Sequence, residues 1–179
     1  MKTRQICSLT ASVLLAMAWL AALPARAQSL AEPVVGVADP DALFTDKDPQ
    51  LNRNKQAAYH IVKDLLECNQ WQDAGKWLTD RYIQHNPMAR SGLAGVVAFF
   101  TSRNVPPTPV PAKLQKTRIV AVLASGDLVT VVYPRAYPVP GGEPGQTYTS
   151  TWFDMWRFVD GKADEHWDPA TLPAKSAGK

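Results

Sequence analysis

The chain has 179 residues, of which 46% are apolar and 20% are charged, and this composition excludes a disordered or low-complexity protein. The first 27 residues hold three of the 19 basic residues and none of the 16 acidic ones, so the rest of the chain is formally neutral. A neutral chain lacks the positive surface that binds nucleic acids or anionic membranes, and neither is expected as a partner.

Residues 1–27 have the pattern of a cleavable signal peptide. Lys2 and Arg4 precede an apolar run at residues 9–23, and Ala25 and Ala27 form a small-x-small cleavage site. The apolar run is shorter than the roughly 20 residues of a membrane span. We therefore predict cleavage after Ala27 and a periplasmic or secreted protein without membrane association. Cys68 is then the remaining cysteine, so the core and not a disulfide must hold the fold.

Three helices are predicted in the first half of the chain. Residues 28–51 have no sustained periodicity and predict a linker. Asn54 can cap a first helix, because the apolar positions from 57 to 66 recur at three- and four-residue spacing. A second, short helix is predicted at residues 71–78, and a third begins at Ser91 and ends before the prolines at 106–111. Between them the chain is extended, since Pro87 disfavours helical geometry at the preceding residue.

From Lys113 onward the spacing of the apolar residues changes from that of a helix to that of a β-strand. Residues 114–124 and 128–133 predict a hairpin, residues 134–145 a loop rich in proline and glycine, and residues 148–169 a second hairpin. Residues 173–179 predict a flexible tail. Three helices followed by four or more antiparallel strands predict an α+β fold, in which a curved sheet packs on the helices and leaves a cavity.

The second hairpin carries the residues best suited to acid/base chemistry. Asp154, His166 and Asp168 lie among the indoles of Trp152 and Trp156. Acids and a histidine among indoles are typical of a small-molecule pocket. A carboxylate shielded from water is a stronger base, as proton abstraction next to a carbonyl requires.

The turn at Asp160 and Gly161 decides which side chains share a face. A two-residue turn pairs residue 159 with 162, which places Asp154 on the face opposite to His166 and Asp168 and sets Arg157 against Asp164. A three-residue turn with Gly161 in a bulge pairs 158 with 162 and brings Asp154, His166, Asp168 and Trp152 to one side. Both registers remain open from the sequence.

The ordered motifs YIQHNP (82–87), FDMWRF (153–158), DGK (160–162) and EHWD (165–168) resemble those of the SnoaL-like polyketide cyclase family. The resemblance covers about residues 51–172, so residues 52–172 are predicted as one SnoaL-like domain. It implies the cone-shaped fold of the nuclear transport factor 2-like superfamily. The same fold hosts several enzyme classes and many non-catalytic modules.

The resemblance also implies an aldol-type ring closure that needs neither a metal nor an organic cofactor. Asp168 matches the acid/base aspartate near the end of the last strand. Asp154 matches a second polar position, at which the family's cyclases often carry histidine. The family pattern favours the three-residue turn, which brings Asp154 and Asp168 to one side. We expect His166 to take part in catalysis, as a general base or as a partner that orients Asp154. The alternatives are a half-exposed structural histidine and, for Asp168, hydrogen bonds to backbone amides at the strand end.

The remaining candidates are predicted to bind a small hydrophobic molecule: His85, Asn86, Trp152 and Trp156. His85 and Asn86 either reach the cavity or merely turn the chain before Pro87. The alternative to an enzyme is a non-catalytic module of the same fold that binds a ligand or dimerises. A homodimer is expected in either case.

Overall fold

The computed structural model describes residues 29–173. The predicted signal peptide lies outside these residues, as does the predicted tail beyond residue 173. Two α-helices, a π-helical segment, two 3-10 turns and five strands follow one another in this range. In chain order they are a 3-10 turn at Asp41–Phe44, α1 at Pro49–His60 continued by the π-helical segment Ile61–Glu67, a 3-10 turn at Trp71–Lys76, β1 at Leu78–Gln84, α2 at Leu93–Thr101, β2 at Ala121–Ser125, β3 at Leu128–Pro138, β4 at Thr147–Val159 and β5 at Lys162–Trp167.

Helix α1 begins five residues before the predicted cap at Asn54. The Asp48 side chain accepts hydrogen bonds of 2.9 Å from the backbone N–H groups of Gln50 and Leu51, and a proline at the first helical position is compatible with this cap. Asn54 is instead buried within the helix. The predicted linker at residues 28–51 thus includes the start of α1, and its Phe44 is fully buried in the core. The folded chain extends N-terminally of residue 52.

The five strands form one open sheet in the order β1-β5-β4-β3-β2. All neighbouring strands are antiparallel except β1 and β5, which are parallel, so the sheet is mixed. A parallel pair needs a long connection, and the chain between β1 and β5 contains α2 and three strands. The predicted α+β class and the packing of helices on a sheet are confirmed.

Strand β3 continues through Pro138, into the segment predicted as a loop. Strand β4 is long enough to pair with all of it, from Leu128 opposite Arg157 to Pro138 opposite Thr147. Strand β2 pairs with β3 only as far as Val132, so in the described part of the chain no strand pairs with the far half of β3 on that side. Proline, which offers no N–H, is tolerated at such an edge.

The second hairpin has a two-residue turn and a separate bulge. Asp160 and Gly161 both have positive φ, and Val159 pairs with Lys162, so the predicted three-residue turn with a bulge at Gly161 is wrong. Phe158 then pairs with Ala163, but Arg157 pairs with Glu165, which leaves Asp164 as an extra residue on β5. Between the turn and Asp164 the strands therefore pair as in a hairpin with a two-residue turn. Beyond Asp164 the pairing shifts by one residue.

The bulge changes which side chains of β4 and β5 lie on the same face of the sheet. Beyond it, Trp156 pairs with His166 and Met155 with Trp167. Alternation along the strands then places Asp154 and Asp168 on the same face as His166. The convergence predicted for these three residues is present, although a bulge at Asp164 and not at Gly161 produces it. The predicted pairing of Arg157 with Asp164 does not occur.

The inner face of the sheet packs on the helices. The largest fully buried side chains come from both layers: Phe44, Val62, Leu65, Leu78, Val96, Ile119, Val129, Val131 and Trp156. Cys68 is buried and forms no disulfide within residues 29–173. None of the helices within residues 29–173 combines the length and the apolar character needed to cross a membrane.

Asp164 is fixed by β1, and this contact offers a test of the bulge. Its side chain is 7% exposed and accepts hydrogen bonds from Thr79 Oγ1 at 2.7 Å and from the guanidinium of Arg81. The hydrogen bond from Arg81 is the main cause that lowers the pKa of Asp164 below its ordinary value, while burial opposes the shift. The carboxylate therefore stabilises the fold as an anion.

The replacement Asp164→Asn should lower the free energy of unfolding by about 1 kcal/mol at neutral pH, since Arg81 is exposed and its attraction is screened. A lowered folded-state pKa stabilises the protein above the unfolded-state pKa of about 3.9, and this stabilisation is lost as the pH falls through the folded-state value. The difference in Tm between wild type and variant, followed by circular dichroism, should therefore shrink in acid.

Asp73→Asn is the matched control, because Asp73 forms an exposed ion pair with Lys76. It should leave Tm nearly unchanged. An Asp164→Asn protein as stable as wild type at pH 7, or a difference that grows in acid, would contradict this role of Asp164.

Candidate active site

A cavity of about 250 Å³ lies between the inner face of the sheet and the helices. Its helical wall is apolar and includes Ile61, Leu66, Trp71, Phe99 and Phe100. Its sheet wall is polar and includes Gln84, Trp152, Asp154, His166 and Asp168, with Asn86 just beyond β1. An apolar cavity with a few convergent polar groups is the usual form of a small-molecule site.

Asp154, His166 and Asp168 each place one nitrogen or oxygen atom within 4.8 Å of the others. His166 Nε2 lies 3.2 Å from Asp154 Oδ1, and the two side chains are only 8% and 13% exposed. Asp154 Oδ1 also accepts a hydrogen bond of 3.2 Å from Trp152 Nε1. The alternation of β4 and β5 beyond the bulge produces this cluster, because all four side chains lie on the inner face.

Gln84 fixes the orientation of the histidine ring. Its Oε1 accepts the backbone N–H of Asn86 at 3.2 Å, which identifies this atom as the amide oxygen. The same oxygen lies 2.6 Å from His166 Nδ1, so Nδ1 must carry a proton and donate it. Nε2 then faces a carboxylate oxygen, and this contact is favourable when one proton lies between His166 and Asp154. The pair is built to hold a transferable proton.

Asn86 and the backbone hold the carboxylate of Asp168. Asn86 Oδ1 accepts the N–H of Met88 at 2.9 Å, which leaves Asn86 Nδ2 to donate to Asp168 Oδ2 at 2.8 Å. Asp168 Oδ1 accepts the N–H of Ala170 at 2.9 Å. Both oxygens therefore accept a hydrogen bond from a donor of known identity, and the carboxylate has one orientation relative to the cavity.

Trp71 and Tyr82 contribute further hydrogen-bond donors to the cavity. Trp71 is 4% exposed, and its Nε1 has no hydrogen-bond partner among residues 29–173. Tyr82 Oη accepts a hydrogen bond of 3.2 Å from Trp156 Nε1. Burial raises the pKa of Tyr82, and the charges of Asp154 and Asp168 add to that effect, so the hydroxyl keeps its proton.

Tyr133 lines an adjoining cavity of about 210 Å³ that shares Asp154 and Trp152 with the first. Burial raises its pKa well above the ordinary value, and the charge of Asp154 acts in the same direction. Its hydroxyl has no hydrogen bond of ordinary geometry within the part of the chain that the structure describes. A buried donor without a partner costs about 1–3 kcal/mol, which a ligand oxygen or a water would offset.

His85 lies outside the cavity. Its ring stacks on Trp167 with centroids 4.8 Å apart, and its Nε2 lies 3.1 Å from Glu165 Oε2. It follows Gln84 directly, and successive residues of an extended chain point to opposite sides. The structure thus brings Asn86, Trp152 and Trp156 to the cavity with the three candidate catalytic residues, and it does not bring His85 there.

Asp154, His166 and Asp168 could each offer one ligand atom to a divalent cation. The hydrogen bonds already described satisfy these atoms among themselves and through Asn86, Gln84 and the backbone, so the cluster is also complete as a proton-transfer site. The expectation that no metal or organic cofactor takes part stays a prediction.

Sequence reasoning did not identify Gln84, Trp71, Tyr82 or Tyr133 as site residues. Gln84 and Tyr82 lie at alternate positions of β1, the same period that places Asn86 in the cavity. Given the position of Asn86, this alternation was a signal that could have found them. Trp71 was assigned to the apolar face of a helix, and no pattern in the chain distinguishes an indole with a free N–H from one that is merely packed.

A family model described as a SnoaL-like domain matches residues 62–166, which is more than half of the chain. The chain belongs to the SnoaL-like family. The matched range includes β1, β4 and most of β5, and therefore most of the site. No curated protein matches the sequence.

This SnoaL-like protein is also similar to several solved structures, at low identity and with TM-scores below 0.5. A proposed SnoaL-like polyketide cyclase from Jannaschia sp. CCS1 is 17% identical, with 70% of this chain and 91% of that chain covered and a TM-score of 0.48. A nuclear transport factor 2-like protein of unknown function from Burkholderia pseudomallei is 18% identical, with 66% and 91% covered and a TM-score of 0.43.

Proposed function

We propose that the cavity is the active site of an acid/base enzyme that acts without a cofactor on a small hydrophobic carbonyl compound, by aldol-type cyclisation or isomerisation. The observation that carries the proposal is the convergence of Asp154, His166 and Asp168 at the polar wall of a cavity whose other wall is apolar. Removal of a proton next to a carbonyl needs a base, a source of a proton and donors for the enolate oxygen, all within reach of one small molecule.

Asp168 is the proposed base. Its orientation is fixed by Asn86 Nδ2 and by the backbone N–H of Ala170, so it needs no rearrangement to meet a substrate proton. The proton between His166 and Asp154 is the proposed acid, because it lies within the same cluster. Abstraction by Asp168 breaks a C–H bond of the substrate, the proton passes to the Asp168 carboxylate, and the electron pair moves to the carbonyl oxygen. In a cyclisation the enolate carbon then bonds to a second carbonyl carbon, whose oxygen takes the proton of the acid; in an isomerisation the acid protonates a different carbon of the enolate.

Tyr82 and Trp71 are the proposed donors to that oxygen. Tyr82 keeps its proton because burial raises its pKa, and its oxygen already accepts from Trp156, which orients the hydroxyl. Trp71 Nε1 carries a buried proton that no described residue accepts. Donors that are fixed before the reaction stabilise developing negative charge without a cost of reorganisation.

A non-catalytic ligand-binding module is the second candidate, and one observation favours it. Both oxygens of Asp168 already accept hydrogen bonds, so the residue also has a structural role at the end of β5. In that case the cavity would bind a carbonyl compound without changing it.

Hydrogen–deuterium exchange next to the carbonyl of small ketones separates the two candidates. We expect the wild-type protein to accelerate exchange in D₂O of at least one member of a panel that includes 1-tetralone, 2-tetralone and 2-cyclohexenone, followed by proton NMR. Asp168→Asn should lower the rate by about 100-fold or more, because a general base contributes on the order of 10²- to 10⁴-fold. The free energy of unfolding should fall by only about 1 kcal/mol, since the amide keeps the oxygen that accepts from Ala170 and loses only the hydrogen bond from Asn86.

Asp127→Asn is a matched control, because Asp127 lies in the β2–β3 turn and forms an ion pair with Arg157 outside the cavity. It should exchange the ketone at the wild-type rate. An unchanged rate in Asp168→Asn would overturn the assignment of the base. Binding of the ketones without any exchange would favour the ligand-binding module.

We further propose that the protein is exported, which rests on the signal-peptide pattern of residues 1–27. Expression of the full chain in a Gram-negative host should give a periplasmic product whose intact mass corresponds to a chain that begins at Gln28. The double replacement Ala25→Phe and Ala27→Phe removes the small side chains that signal peptidase requires and should leave the precursor uncleaved. A cytoplasmic wild-type product of full mass would contradict export.

A homodimer through the outer face of the sheet is the proposed assembly. Leu123 and Phe153 lie on this face and are 60% and 40% exposed, and apolar side chains exposed together are typical of contact surfaces. Light scattering should give twice the monomer mass for wild type and the monomer mass for Phe153→Glu. Val105→Glu, at an exposed apolar residue after α2, should remain dimeric. A monomeric wild-type protein would overturn the proposal.

A further inference from the structure

Two exposed arginines line the cavity, Arg103 and Arg135. Arg103 follows the C-terminal end of α2 and Arg135 lies on β3, so they approach the cavity from the helical layer and from the sheet. Both are exposed, whereas the side chain of Asp154 is only 13% exposed. The basic groups thus lie nearer to solvent than the acidic cluster.

Aromatic side chains of the cavity wall hold both guanidinium groups in place. The Arg135 guanidinium carbon lies 3.7 Å from the ring centroid of Trp152, and that of Arg103 lies 4.5 Å from Phe99 and 4.8 Å from Phe100. A guanidinium stacked in this way is oriented by its flat face. The N–H groups at its edge remain free to donate.

Neither arginine has a carboxylate partner among residues 29–173. Elsewhere in the same range the arginines of the outer sheet face are paired, Arg81 with Asp164 and Arg157 with Asp127. Other basic side chains are also unpaired, but Arg103 and Arg135 both line this cavity and both stack on its aromatic residues. Two oriented donors that line one cavity and have no carboxylate partner among the described residues indicate that the acceptor comes with the ligand.

We propose that the ligand of this cavity is an apolar carboxylic acid, bound as its anion, with its carboxylate between Arg103 and Arg135 and its apolar body in the cavity. Each guanidinium can donate two parallel hydrogen bonds to a carboxylate. The carboxylates of Asp154 and Asp168 repel an anion from the deeper part of the cavity, so the acid group faces outward and the rest of the molecule faces Asp168. The inference rests on the proposed function in one respect, that this cavity binds a small molecule.

A matched pair of probes tests the charge preference. 3-Phenylpropanoate and 3-phenylpropanamide have nearly the same shape and differ in charge, and neither absorbs where tryptophan is excited at 295 nm. Quenching of the cavity's tryptophans should give a Kd at least tenfold lower for the carboxylate than for the amide. The preference should shrink at 0.5 M NaCl, because salt screens the attraction at an exposed site.

Arg103→Gln and Arg135→Gln should each reduce the preference for the carboxylate severalfold, and the double variant should abolish it. The Kd of the amide should stay within about twofold of wild type in all three, which separates loss of charge recognition from damage to the cavity. Arg118→Gln is the matched control: it makes the same charge change at an exposed arginine that does not line this cavity. It should retain the wild-type preference.

Equal binding of the two probes to wild type would overturn the inference, as would the absence of binding by either. An equal loss of preference in Arg118→Gln would also overturn it, since the effect would then reflect overall charge. The ketone exchange assay is independent of these measurements. If the protein does not catalyse exchange but prefers the carboxylate, the proposed acid/base function is wrong and the proposed ligand class is supported. If it catalyses exchange but shows no preference for the carboxylate, only the proposed ligand class is wrong.

Discussion

The extra residue at Asp164 is the constraint on which the site depends. Side chains alternate along a strand, so a single inserted residue moves everything beyond it to the other face. Thr79 and Arg81 bind the carboxylate of Asp164 from β1 and thereby hold the bulge in place. The inner face then receives His166 and Asp168, while Glu165 points to the outer face with Arg157 and His85. One contact on the outside of the sheet thus decides which residues are available inside it.

The polar groups of the site are oriented by one another and not by the ligand. Gln84 fixes the ring of His166, Asn86 fixes the carboxylate of Asp168, and each amide is itself fixed by a backbone N–H group. These amides come from one short segment at the end of β1, which runs parallel to β5 with Gln84 beside His166. A site with this degree of internal support loses little side-chain entropy when a ligand binds.

Much of the fold was accessible from the sequence because it depends on local periodicity. The apolar spacing after Asn54 predicted α1, and the change of period after Lys113 predicted the strands. The cluster of Asp154, His166 and Asp168 was predicted for a partly wrong reason, since turn chemistry at Gly161 was visible whereas a bulge held by β1 is a tertiary effect. The stacking of His85 on Trp167 depends on contacts between distant segments, as does the Trp71 N–H that has no partner among residues 29–173, and no local pattern reports them.

The two prolines of β3 have a consequence for how copies of the protein can meet. Within residues 29–173 no strand pairs with β3 beyond Val132 on the β2 side, and an unpaired strand edge is a template for the addition of another strand. Pro134 and Pro138 lie in this stretch and offer no N–H group to an incoming backbone. The addition of a strand from a second molecule is thereby disfavoured at this edge. The two prolines thus protect the protein from aggregation through the unpaired part of β3.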